Sequence, residues 1–323
     1  MPELANLADL AHVHLLLNHF PTIGMILALG LLLLAFMRKN DHLKKVSFEV
    51  IFLIALATLP VYVSGQAAAE ALKGQAGVSA EAIVSHNDAA LGSFMMMELT
   101  GFFAWLALWR IRRAGRPTTG LTYTVLILTV LTVAAVARAA NMGGDIRHPE
   151  IEGGQYSGLF GAAAAPGSGF LSAAGIKDFV LQHPFVWPTC ETLHFLGMSL
   201  MFGVLLIVNL RLIGFLRGMS FAAVHRLLPF GLMGFGVNFV TGMFFVIAAS
   251  EQYTQNVAFH YKVLLLILAG VNFLVLTVYD EAWSLPASAD APLSGKLLGA
   301  SALVLSVGVM YFGRMLPFIG NAF

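Results

Sequence analysis

From its amino end the chain alternates long apolar runs with short polar punctuation, and the runs lack the period-two alternation of a membrane strand. Eight such runs predict helical spans near 12–37, 44–65, 80–109, 119–141, 188–215, 222–249, 257–279 and 295–315. Each can cross roughly 30 Å of hydrocarbon as a helix, whose backbone groups satisfy one another where no water can. The pattern predicts an all-α integral membrane protein, eight transmembrane helices arranged as two fused four-helix bundles. The N-terminal bundle occupies 1–145, an extracytoplasmic linker loop 146–182, and the C-terminal bundle 183–323. That loop includes the Gly/Ala-rich stretch "GGQYSGLFGAAAAPGSGF".

The polar punctuation sets an orientation. Arg38, Lys39, Lys44 and Lys45 separate the first two runs; Arg110, Arg112, Arg113 and Arg116 separate the third and fourth. Arg211, Arg217 and Arg226 follow the fifth, and Lys296 lies before the last. The alternate loops hold only Lys73, Arg147 and Lys177, with Arg138, Lys262 and Arg314 near that side. Basic loops stay cytoplasmic, so both termini are expected outside, in the periplasm of a bacterial inner membrane. No basic region precedes the first run, so it is expected to be retained as a helix rather than removed as a signal.

Composition agrees with this reading and narrows the chemistry. Of 323 residues 58% are hydrophobic and 11% charged, where a soluble domain carries about 25% charged residues. The net charge of +1 implies no nucleic-acid partner. The single cysteine, Cys190, excludes an internal disulfide and a Cys-x-x-Cys-His haem attachment.

Against this background ionisable groups inside the apolar runs stand out, because such groups mark function by default. "HFPTIGMILALGLLLLAFMRK" and "HFLGMSLMFGVLLIVNLRL" open the two halves alike, with His19 and His194. Each half places another histidine near the outer start of its third span, His86 and His260. At 1.5 Å per residue, His19 and His86 lie about 10 Å below the outer surface. Two imidazoles at one level on different helices of a bundle can ligate one iron, and bundle cores commonly build cofactor sites this way. The expected ligand pairs are His19 with His86 and His194 with His260, for one or two b-type haems. Gly24, Gly92, Gly197 and Gly203 would let a flat ring approach the backbone, and Arg138, Arg147, Lys262 and Arg314 would meet the propionates. A structural zinc site would ask for more ligands at one place.

The remaining polar residues read more plainly. His12 and His14 sit at the mouth of the first span and His42 in a cytoplasmic loop; His225 is expected to be structural. Asp145, Arg147, His148, Glu150 and Glu152 form a charged cluster in the outer loop, read first as salt bridges. Glu98, deep in the third span, needs a hydrogen-bond partner or a protonated carboxyl. Met95, Met96 and Met97 read as packing.

"NHFPTIGMILALGLLLL" resembles the His-Phe-Pro opening of a poorly characterised bacterial four-helix membrane family. "ETLHFLGMSLMFGVLLIVNLRLIG" resembles the start of another, with its Leu-His-x-Leu-Gly and Asn-Leu-Arg-Leu-Ile-Gly signatures. More loosely, the halves resemble transmembrane b-type cytochrome bundles, many of which stack haems on both sides, whereas the histidine pairs here all lie outward. The resemblance implies a cytochrome subunit relaying electrons between the quinone pool and a periplasmic c-type cytochrome or similar carrier. Quinone would be a second cofactor and other subunits of a respiratory complex the partners. The alternatives are a haem-free membrane anchor, or a proton-coupled transporter using Glu98 and the repeated halves.

Overall fold

The computed structural model describes residues 11–75, 78–146, 169, 171–279, 282–286 and 289–319. Among them all regular structure is helical, and eight helices are long and apolar enough to cross a membrane. These spans are Ala11–Met37, Asp41–Leu72, Ala80–Ala114, Thr119–Gly144, Val186–Ile213, Phe221–Ala248, Val257–Ser284 and Leu293–Met315. The protein is therefore a multi-pass helical membrane protein of the expected class. The second and third spans outrun their apolar cores, ending at Leu72 and Ala114. Caps, not the hydrocarbon boundary, set such ends: Gly115 closes the third span in the left-handed conformation, φ 72°. Asn40 and Ser79 open the second and third by accepting the N–H groups of Leu43 and Ala82 at 3.1 and 3.2 Å.

The chain divides into two compact units, Met1–Ile176 and Lys177–Phe323. In the first, interfaces run from span one to two, two to three, three to four, and four back to one. This closed ring leaves spans one and three facing each other across a diagonal. Lipid tails are as apolar as Leu, so small residues and interhelical hydrogen bonds hold the ring rather than hydrophobic burial. Gly101 on span three lies directly against Ala55 on span two, and Gly24 on span one lies against Ile54. Thr100 and Thr132 join spans three and four through a buried 2.7 Å hydrogen bond. Large apolar residues such as Leu16 and Leu27 turn outward, as lipid-facing positions should. The last ten residues of the expected linker form a short helix, Ala173–Gln182, whose first N–H donates to Asp88 at 2.8 Å.

In the second unit interfaces join span five to six, five to eight, and seven to eight, and spans six and seven meet at the end where Phe221–His225 packs against Ala282–Ser284. Gly197 and Gly234 bring spans five and six close enough that a Cβ on Gly234 would lie 2.5 Å from the Gly197 carbonyl. Asn272 ties span seven to span eight by donating to the Leu298 carbonyl at 3.2 Å and Ser301 Oγ at 2.7 Å. At the far end of span five the buried Arg211 donates from Nε to the Met219 carbonyl, 2.6 Å, and from Nη2 to the Ala289 carbonyl, 2.9 Å. Its guanidinium also lies 3.8 Å from the centre of the Phe221 ring. A residue read from sequence only as a topology charge thus holds two loops together.

Candidate functional site

In the first unit the site is built from one end of all four spans. His14 on span one sends Nδ1 to the Val61 carbonyl of span two at 3.0 Å, with Ser64 Oγ at 3.4 Å. Its ring lies on Gly65, one turn further on, where a Cβ would come within 2.9 Å of Cε1. His86 on span three repeats the arrangement against span four. Its Nδ1 meets the Ala139 carbonyl at 2.9 Å, and its ring lies on Gly143, where a Cβ would sit 3.0 Å from Cε1. In both cases the acceptor is the carbonyl four residues before the glycine, so each imidazole lies along a groove that a side chain would block.

A carbonyl can only accept, so Nδ1 carries the proton in both rings. Each neutral imidazole then presents its Nε2 lone pair, and among the described residues neither Nε2 has a hydrogen bond. Metal-ligating histidines are usually prepared in this way, with the distal nitrogen tied to a carbonyl. No group of three or more His, Cys, Asp or Glu capable of holding a metal occurs among the described residues. The arrangement therefore suits a metal that brings its remaining ligands with it.

His19, expected to face His86, does not. It is exposed, and its Nδ1 bonds only to the Leu15 carbonyl of its own helix, at 3.3 Å. Five residues separate it from His14, a rotation of about 500° at 100° per residue, so the two point to different faces. The buried residues Pro21, Ala28 and Ala35 continue the seven-residue stripe that begins at His14. That stripe was the readable signal for the interior face. Arg138, expected near a propionate, sits beside Ala139, and its buried Nε has no hydrogen-bond partner. Arg147, His148, Glu150 and Glu152, with the side chain of Asp145, lie outside the described residues.

In the second unit His194 on span five places Nδ1 2.8 Å from Thr241 Oγ1 on span six. That hydroxyl also meets the Val237 carbonyl at 2.8 Å, so its one proton goes either to that carbonyl or to Nδ1 of His194. Asn238, one turn away, bridges the His194 carbonyl at 2.6 Å and the Met198 N–H at 2.9 Å, holding the histidine by its backbone as well. Val240-Thr241-Gly242 thus stands to His194 as Val63-Ser64-Gly65 stands to His14. The repeat between the halves extends further than the opening motifs, but it equates His194 with His14 rather than His19.

His260, expected opposite His194, instead uses Nε2 on the Thr254 carbonyl at 2.8 Å. Lys262, also expected near a propionate, is the other ionisable group at this end of span seven. Two positions along a helix is about 200°, so His260 and Lys262 point nearly opposite ways. Lys262 lies on span eight as His86 lies on span four, its Nζ 3.4 Å from where a Cβ on Gly313 would be. Arg314 is exposed, 5.3 Å from the centre of the Phe318 ring. Outside the spans, burial and then the charge of Glu191 push the Tyr253 phenol above its ordinary range.

Other residues settle into structural places. Glu98 accepts a 3.1 Å hydrogen bond from Thr58, whose hydroxyl also meets the Ala55 carbonyl. His225 packs edge-on against Trp283, 4.9 Å between ring centres. No protein-family model matches the chain, and comparison with curated proteins and with solved structures gives no match.

Proposed function

We propose that the protein is a b-type cytochrome subunit whose first bundle holds one haem between His14 and His86. The observation that carries this reading is the matched pair of imidazoles on diagonal helices. Each is fixed through Nδ1 on a neighbouring carbonyl, lies on a glycine, and keeps Nε2 out of any hydrogen bond among the described residues. A porphyrin supplies four nitrogen ligands, so two imidazoles complete six-coordinate iron and one-electron transfer follows from that iron. Arg138, with its buried unpartnered Nε, supplies a cation for a propionate. The second bundle receives no haem in this reading, because His260 is committed to a loop carbonyl and leaves His194 without the expected second imidazole.

In the cell such a chain relays electrons between the quinone pool and a periplasmic carrier such as a c-type cytochrome, within a larger respiratory complex of the inner membrane. The basic loops favour an outward position for the histidine end. The test is a reduced-minus-oxidised spectrum of the purified chain with haem quantified per polypeptide. His14→Ala and His86→Ala should each abolish the same low-spin component, and the double variant should lose no more. His19→Ala should keep it. A native chain without haem would leave the membrane anchor as the better reading, and loss on His19→Ala alone would move the ligand pair.

A further inference from the structure

We propose that the first bundle, at the end opposite His14 and His86, binds the phosphate of an anionic phospholipid. Two turns lie at that end, one joining spans one and two and one joining spans three and four. The first carries Arg38, Lys39, Lys44 and Lys45, and the second carries four arginines within 110–116. Asp41 and Glu49 answer Lys44 and Lys45, at 2.8 and 3.8 Å. The second turn has no acid of its own, since none occurs between Glu98 and Asp145. Ring contacts join the two turns. The Lys44 ammonium lies 5.5 Å from the centre of the Phe36 ring, and that ring lies 5.3 Å from Tyr123 at the start of span four.

Orientation by itself asks only that these turns be basic; two features go further. Lys39 takes φ 49°, in the left-handed region where glycine is at ease. The companion turn uses Gly115 for that conformation, at φ 72°. An exposed lysine thus stands where the backbone favours glycine, which asks for a role of its charge. The aromatic residues set the level. Tyrosine and tryptophan gather among lipid head groups, as Tyr123 and Trp109 do here. The Arg113 guanidinium lies 5.3 Å from the Trp109 ring, one turn further out, and Lys39 follows Phe36 by three residues. Both cations therefore stand at the phosphates rather than beyond them. A turn deeper, the exposed Leu33 and Ile127 face the acyl chains. A soluble acidic protein would have to reach charges held at this depth, whereas the lipid is already there.

The test titrates the full purified chain with phosphatidylglycerol or phosphatidylcholine of matched acyl chains and reads the bound lipid by native mass spectrometry. A photoreactive phosphatidylglycerol maps the contact. Phosphatidylglycerol should bind about tenfold or more tighter, as two or more cations at a lipid surface imply, and its label should fall within 33–45 and 109–127. Lys39→Gly should weaken its binding by about fivefold, the share of one such cation. Thermal stability should stay level or rise in that variant, since glycine suits the turn. Lys39→Arg should bind as wild type, and Arg110→Gln with Arg113→Gln should weaken binding further. Lys73→Gln, at the other end of span two, should change nothing. Equal affinity for the two lipids or label confined to other segments would overturn the site. So would wild-type binding in both charge-removing variants, or displacement by soluble glycerophosphate as readily as by intact lipid.

Discussion

At the scale of single residues the glycines under the rings are as informative as the histidines. A methyl group on Gly65 would meet Cε1 of His14 at 2.9 Å, and one on Gly143 would meet His86 at 3.0 Å. Neither contact can be relieved by moving a flexible chain end, because each ring is pinned at Nδ1. Gly65→Ala and Gly143→Ala should therefore lower haem per polypeptide and disturb the low-spin spectrum, while helical content by circular dichroism stays at the wild-type level. Normal haem content in both would show that the rings have freedom this geometry denies them. The hydroxyls beside the glycines should differ in weight. Ser64 is 3.4 Å from His14, which already has the Val61 carbonyl, whereas Thr241 at 2.8 Å is the hydrogen-bond partner of His194 Nδ1. Ser64→Ala is thus expected to leave the haem spectrum close to wild type.

Between helices, the contacts that matter are small or polar. Gly101→Val would drive two methyl groups into Ala55 at the interface of spans two and three. Overpacking of this kind typically costs about 1–3 kcal/mol, and reversible unfolding in mixed detergent micelles would measure it. Thr132→Val removes the buried bond to Thr100 and should cost less, about 0.6 kcal/mol on average for an interhelical hydrogen bond in a membrane protein. Arg211 carries more, since it serves two loop carbonyls and the Phe221 face. Arg211→Met should destabilise the second bundle by about 2 kcal/mol or more, from charge-assisted hydrogen bonds alone. A cost below that of Thr132→Val would contradict its role as a staple.

For the molecule as a whole, orientation decides what the histidine end can reach. Native Cys190 is buried, 6% exposed, so engineered cysteines on loops can be read above a low background. Lys39→Cys and Lys73→Cys lie at opposite ends of the second span. An impermeant maleimide added to intact spheroplasts should label the second and spare the first. The opposite result would put the histidine end in the cytoplasm and replace the periplasmic carrier with a cytoplasmic one. The two bundles also differ in packing: in the first, four interfaces close a ring of spans, whereas in the second, spans six and seven meet chiefly at the end where His225 packs on Trp283.

The amino-acid sequence alone determined the helical class and the eight spans. Hydropathy is a sufficient guide to these because the bilayer is a planar solvent: it sorts residues along its normal, and helix rise converts position into depth. Rotation about the helix axis is another matter. A span that is apolar on every face, such as Ala11–Met37, marks its inward side only by small residues such as the Pro21, Ala28 and Ala35 stripe, not by polarity. The placing of His14 rather than His19 against the neighbouring helices, and the turning of His260 onto the Thr254 carbonyl, are matters of azimuth. Only the tertiary structure decided them, because in lipid the inward face is chosen by which helix offers a glycine and a carbonyl or hydroxyl, and those lie far away in the chain, at Val61 and Gly65, Ala139 and Gly143, Thr241 and Gly242.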